Sequence, residues 1–159
     1  MKAHSKQRGP RPGSIARVPG IDYGGLDDYL GYALRRAQLA GFEAFHRATA
    51  GMGITPPRYS ALTIVGANPG LSQTELGTAL GTARSGAMML ANWMEKRGLA
   101  ERRHRPDDGR AWGLYLTRRG ETRLRDLKRR VRENDTAFAA RLSAVERARL
   151  RRLLEKLTG

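Results

Sequence analysis

Three histidines, no cysteine and a large surplus of arginine bound the chemistry open to this 159-residue chain. His4, His46 and His104 fall in three separate stretches, too scattered for a metal-ligand pair or a proton relay. No serine-centred elbow and no phosphate-cradling glycine loop is present, so the groups that catalysis must bring to one site are missing. The lack of cysteine removes disulfides, thiolate catalysis, thiol redox sensing and Cys-based zinc sites together. No catalytic residue, metal or cofactor is expected. What remains is cationic contact. Thirty Lys and Arg against fifteen Asp and Glu give a formal charge of +15, a field that favours nucleic acid or an anionic surface and says little about fold. Its densest point is "RRHRPDDGRAWGLYLT", where Arg102, Arg103, Arg105 and Arg110 surround a turn and an alternating apolar stretch follows. That is either a solvated hairpin or a finger built to touch something negative.

The elements that must position this finger are legible on either side. Residues 1–25 are rich in Gly, Pro, Lys and Arg without apolar period, and are expected to be a flexible basic arm. Over residues 26–50, Leu26, Leu30, Ala33, Ala37, Ala40 and Ala44 form one stripe, and Tyr32, Leu39, Phe42 and His46 a second. A helix apolar on two faces predicts burial on both sides, by a core and by a subunit interface. Thr55-Pro56-Pro57 predicts an N-cap and first-turn proline for a short helix through Gly66. Ser72 with Glu75 is a capping box for the next helix, which Gly81 breaks. Thr82 is expected to cap the following helix, where Ala87, Leu90, Ala91 and Met94 recur at helical spacing until Gly98.

Two short helices around a glycine turn make a helix-turn-helix. Pro106-Asp107-Asp108-Gly109 is a turn, and Trp112, Leu114 and Leu116 alternate with Gly113 and Tyr115 as in a half-buried strand. A charged hairpin directly after the second helix predicts the winged variety. Thr117 caps a long helix to about Arg141, and Ser143 with Glu146 opens a last one through Leu157. Their narrow stripes predict pairing with another copy, an isologous homodimer. The apolar runs are too short to span a membrane and no signal-peptide core is present, so a soluble cytoplasmic protein without membrane contact is expected.

Asp108-Gly109-Arg110, Leu114-Tyr115-Leu116-Thr117 and Gly120, with "PGLSQTELGTALG" and "MEKRGL" upstream, resemble the MarR family of winged helix-turn-helix transcriptional regulators. The resemblance covers residues 26–157 and implies a mainly α fold with a small β wing. It makes residues 26–159 a single domain, with the winged helix-turn-helix at about 55–117 and dimerisation helices at about 26–50 and 118–158. It further implies a dimer on a pseudo-palindromic operator in double-stranded DNA, released when a small, often aromatic, effector binds. Arg110 would enter the minor groove, directed by Asp108. A narrow A·T-rich groove rewards an inserted guanidinium. Arg102, Arg103 and Arg105 would add phosphate contacts, which hold register without reading sequence.

Residues 83–97 would lie in the major groove, with Arg84 and Ser85 on base edges or phosphates. Met88, Met89 and Trp93 depart from the polar residues usual in the family. Methionine touches thymine methyls but cannot make bidentate hydrogen bonds to guanine or adenine. Met88 is expected to face DNA, Met89 to be partly buried and Trp93 to pack against the wing. Gly86 weakens this helix, and close approach of DNA would explain it. Ser72, Gln73 and Thr82, near helix starts, are expected at phosphates.

For the effector, Tyr32, Arg35, Phe42 and His46 share a stripe that Arg58 and Tyr59 would face, chemistry suited to an aromatic acid or an anionic thioester. "LDDYLGYALRRAQLAGF" resembles MarR-type regulators of phenolic acid catabolism, some of which respond to hydroxycinnamoyl-CoA thioesters. The function expected is repression of aromatic catabolism genes. The competing classes are a non-specific basic architectural protein and a MarR-type regulator of efflux or stress genes.

Overall fold

The computed structural model describes residues 17–106 and 108–159, and of residues 108–110 the backbone alone. Residues 1–16 of the expected arm, and the expected pairing of Asp108 with Arg110, lie outside what is described. The chain divides into two compact units, residues 1–47 and 48–159.

In the first unit a 3-10 turn at Gly24–Asp28 precedes helix α1, Leu30–Ala48. The helix expected from Leu26 therefore starts four residues later. Gly24 and Gly25 disfavour helix, and Tyr29 is extended (φ −94°, ψ 124°) between turn and helix. Arg17 pairs with Asp27 and lies 4.7 Å from the Tyr23 ring centroid. Burial on both faces of α1 is not met in the single chain, where only Ala44 and Phe45 are buried. Leu30, Leu34 and Phe42 lie exposed. Two apolar stripes need two neighbours, and one protomer leaves much of this surface outside.

The second unit runs α2 (Pro56–Ala67), α3 (Gln73–Leu80), α4 (Arg84–Lys96), β1 (Ala100–Arg105), β2 (Asp108–Leu116), α5 (Arg118–Phe138) and α6 (Ala144–Thr158). Helix α2 is the hub, touching α3, α4, α5 and β2. It brings Ala61, Leu62 and Val65 against a core that includes Leu76, Ala87, Ala91, Met94, Leu114, Leu124 and Leu127. Thr55 stands at the N-cap of α2 but makes no side-chain cap bond, because proline at the first turn takes over. Proline has no N–H to be capped and its φ is already helical.

Strands β1 and β2 pair antiparallel, Ala100 opposite Leu116 through His104 opposite Trp112, with an irregularity between His104 and Arg105. Leu71 adds a bridge to Leu114, with Leu114 N–H donating to Leu71 O at 2.8 Å and Gly70 N–H to Leu114 O at 2.9 Å. Gly113 makes this bridge possible: a Cβ there would lie 2.5 Å from Gly70 O. Trp112 shares a face with Leu114 yet is 54% exposed while Leu114 is 1%. The hairpin outruns the core, and Trp112 stacks instead on His104, ring centroids 4.1 Å apart.

Thr117 ties the start of α5 to the turn that follows α4. Its hydroxyl accepts from Gly120 N–H at 3.0 Å and donates to Gly98 O at 2.7 Å. Helix α5 ends at Phe138, before the expected Arg141, because Ala139–Leu142 tightens into turn bonds ahead of the Ser143 cap. The Ser143/Glu146 capping box is formed as expected. Helix α6 buries none of its side chains within the chain, and Val145, Leu150, Leu153, Leu154 and Leu157 are exposed.

Candidate nucleic-acid interface

Helix α4 is aimed by the turn before it. Ser72 accepts from Glu75 N–H at 3.2 Å while Glu75 accepts from Ser72 N–H at 2.8 Å, so both capping-box bonds start α3. The side-chain and backbone hydrogen bonds with Ser72, with the Arg105 charge beyond them, hold the Glu75 carboxyl below its ordinary value. Gly81 closes α3 in the left-handed region (φ 60°), the conformation an L side chain resists. Thr82 does not cap α4. Ala83 is the N-cap residue and no side chain caps it. Thr82 Oγ1 instead occupies space over the first turn, where a Cβ on Gly86 would stand 2.4 Å from it. The close approach that Gly86 permits is thus internal.

The inward face of α4 is Ala87, Ala91 and Met94, all fully buried. Gly77 of α3 meets Ala87 closely, a Cβ there lying 3.3 Å from the Ala87 methyl, so the two helices cross tightly. The outward face presents Arg84, Ser85, Met88 and Met89 together. Met89 is not partly buried: it is 66% exposed against 46% for Met88. With Ala87 and Ala91 turned inward, residues 88 and 89 both fall on the opposite side of the 3.6-residue turn. Among the described residues the ring contacts of Trp93 are with Arg58 and Arg97, not with the wing as expected. Arg58 and Arg97 guanidinia lie 4.8 and 5.7 Å from its ring centroid, at the far end of α4.

The wing arginines divide. Arg102 pairs with Glu95 and donates to Asn92 Oδ1 at 3.0 Å and Gln73 Oε1 at 3.2 Å. It is a half-buried strut that ties β1 to α3 and α4, a role its sequence context did not announce. Arg103 pairs with Glu101 and lies 5.4 Å from the Tyr115 ring. Arg105 is half-buried and falls opposite Asp108 in the ladder. Asp108, Gly109 and Arg110 lie in the first third of β2, at the tip end of the hairpin. Asn92 and Glu95, which sequence inspection passed over, carried one signal: a three-residue spacing on the helix that precedes the basic strand.

Of the effector candidates, Tyr32 is half-buried and Arg35, Phe42 and His46 are exposed on α1 of the first unit. The His46 ring sits edge-on to Phe45 at 6.1 Å. Arg58 and Tyr59 belong to α2 of the second unit. Arg58 is turned toward Trp93 and donates to Gly53 O at 3.3 Å. Among the described residues no helix is long and apolar enough to cross a membrane.

Residues 52–111 match the model of the MarR family. A Thauera aromatica protein assigned as the transcriptional regulatory protein for the hcr operon is 38% identical, over 85% of this chain and 82% of its own. The transcriptional repressor CouR, solved on a 23-mer DNA duplex, superposes with a TM-score of 0.80 and is 35% identical, over 87% of this chain and 99% of its own. CouR bound to p-coumaroyl-CoA gives a TM-score of 0.80 at 34% identity, over 87% and 97%.

Proposed function

The chain belongs to the MarR family of winged helix-turn-helix transcriptional regulators, and from that premise we propose that it is a homodimeric repressor of aromatic catabolism genes. It binds a pseudo-palindromic operator and leaves it when an aromatic acid or its CoA thioester binds. The observation that carries the DNA half is the exposed row Arg84, Ser85, Met88 and Met89 at the start of α4. That row stands on a helix whose opposite face is core, and a basic hairpin follows within four residues. The uncapped first turn of α4 leaves backbone N–H groups for phosphate. Ser72, Gln73, Thr82 and Arg105 add backbone contacts around it. Arg110 at the wing enters the minor groove with Asp108 directing it. The row reads thymine methyls and shape more than hydrogen-bond pattern, since methionine holds no donor.

The dimer reading is supported by the apolar surface that α1 and α6 leave exposed in one chain. The effector reading is supported by the likeness to CouR and by the aromatic and cationic stripe of Tyr32, Arg35, Phe42 and His46 on α1.

Selection of duplexes from a random pool, followed by gel shift against random competitor, tests the proposal. A palindrome preferred by about a thousandfold is expected. Preference under about tenfold would leave only a non-specific basic protein. Arg110→Ala is expected to weaken the selected site by about 1–3 kcal/mol, and binding as tight as the parent's would remove the wing from the mechanism.

A further inference from the structure

The exposed row of α4 carries two adjacent thioethers, and their surroundings set them apart from the other described methionines. Met89 is 66% exposed and Met88 46%, whereas Met94 of the same helix is fully buried and Met52 is half-buried. The chain holds no cysteine, so no thiolate competes for an oxidant. Exposed thioethers are then the side chains that a hydroperoxide oxidises first.

Their position gives that oxidation a consequence. Ala87 and Ala91 are buried on the opposite side of the helix. An oxygen added at residue 88 or 89 therefore meets water in the free protein and leaves the core packing as it is. Against an operator it meets the major groove, where thymine presents a methyl and an acceptor oxygen. A sulfoxide is polar and brings an acceptor but no donor. It forfeits the methyl contact, and its oxygen loses water without gaining a partner on thymine. Arg84 stands four residues before Met88, the spacing at which side chains meet on a helix. A sulfoxide there offers the guanidinium an acceptor in competition with phosphate.

We infer that Met88 and Met89 form an oxidant-sensitive site, at which a hydroperoxide makes methionine sulfoxides and so releases the protein from its operator. At each sulfur a lone pair takes one oxygen atom from the hydroperoxide and the O–O bond breaks. The other oxygen takes up the proton and leaves as water, or as an alcohol from an organic hydroperoxide. Sulfur is oxidised by two electrons and the peroxide is reduced by two. The inference rests on the operator-binding reading of this row and adds a regulation that needs no aromatic effector.

The full chain, free of DNA, is treated with graded hydrogen peroxide and divided between peptide mass spectrometry, a thermal melt and a gel shift on the selected operator. Met88 and Met89 are expected to become sulfoxides about tenfold or more faster than Met94, with the melting temperature kept. Operator affinity is expected to fall about tenfold or more, and to return after treatment with methionine sulfoxide reductases for both sulfoxide epimers. Met88→Leu with Met89→Leu keeps apolar side chains and removes both sulfurs. Compared with itself before and after the same dose, that variant is expected to lose less than about twofold. Met52→Leu, away from the row, is expected to lose as much as the parent. Oxidation of the pair no faster than that of Met94 would overturn the site. So would an oxidised pair that holds the operator unchanged, or an equal loss in the leucine double variant. A parent that prefers no duplex would remove the repressor reading and this inference with it, whereas a selected operator bound as tightly after oxidation removes this inference alone.

Discussion

Two glycines in helices show how much one methyl can weigh. A Cβ on Gly120 would lie 1.9 Å from Leu99 O, the carbonyl that accepts from Thr117 N–H at 3.1 Å. Backbone cannot rotate aside, so Gly120→Ala must move the start of α5 or the start of β1. Its expected cost is about 3 kcal/mol, or roughly 6–12 °C in a thermal melt. A melt unchanged from the parent would show that the two backbones do not meet so closely. At Gly86 the neighbour is the tip of Thr82, which can turn, and alanine raises helix propensity by about 1 kcal/mol. Gly86→Ala is therefore expected to hold or raise the melting temperature. The methionines belong to the same scale. If the row on α4 reads thymine methyls, Met89→Ala removes about 1–2 kcal/mol of apolar contact, roughly a five- to thirtyfold loss in operator affinity. Uracil in place of thymine at the contacted positions should erase most of that difference between parent and variant. Equal losses on both duplexes would mean that Met89 reads no methyl.

At the scale of elements, the capping boxes set the acid side of stability. Hydrogen bonds with Ser72 and Ser143 hold the Glu75 and Glu146 carboxyls below their ordinary value. A lowered carboxyl stabilises the fold fully above its unfolded pKa, and that contribution fades as pH falls through the lowered folded one. Glu75→Gln with Glu146→Gln keeps an acceptor at each helix start and removes the titration. Melting temperatures recorded from neutral pH down through the carboxylate range should fall less steeply for the double variant. Parallel curves would mean the boxes carry no charge-dependent stability. Both boxes could be read from four residues each, because capping is local chemistry between a cap and its own first turn. Thr82 shows the limit of that logic. Ser/Thr before an apolar run suggested a cap, but the helix starts one residue later, with Ala83 at the N-cap and no side chain capping it.

For the whole molecule, the surplus of fifteen positive charges sets how binding responds to salt. If about six to ten phosphates are neutralised per dimer, operator affinity should fall on the order of a thousandfold between roughly 50 and 200 mM salt. A shallow slope, measured as log affinity against log salt concentration, would mean that most of the arginines face elsewhere. The wing strut bears on this count. Arg102 is spent on Glu95, Gln73 and Asn92, so it steadies the hairpin against α3 and α4 and is not free to serve as a full phosphate contact.

The order of elements, the two capping boxes, the inward stripe of α4 and the end of that helix just before Gly98 follow from the amino-acid sequence alone, since each depends on residues within one or two turns of chain. Which way Met89 faces, why Trp112 lies outside the core, and the place of Trp93 in a cavity lining were settled only when distant elements met. So was the division of the arginines into strut and lining. Arg102 and Arg118 look alike in a list of residues. One finds Glu95 across a strand-helix contact and the other lines an apolar cavity among its own kind, because partners for a charge are assigned by proximity in space, and sequence spacing does not encode that proximity.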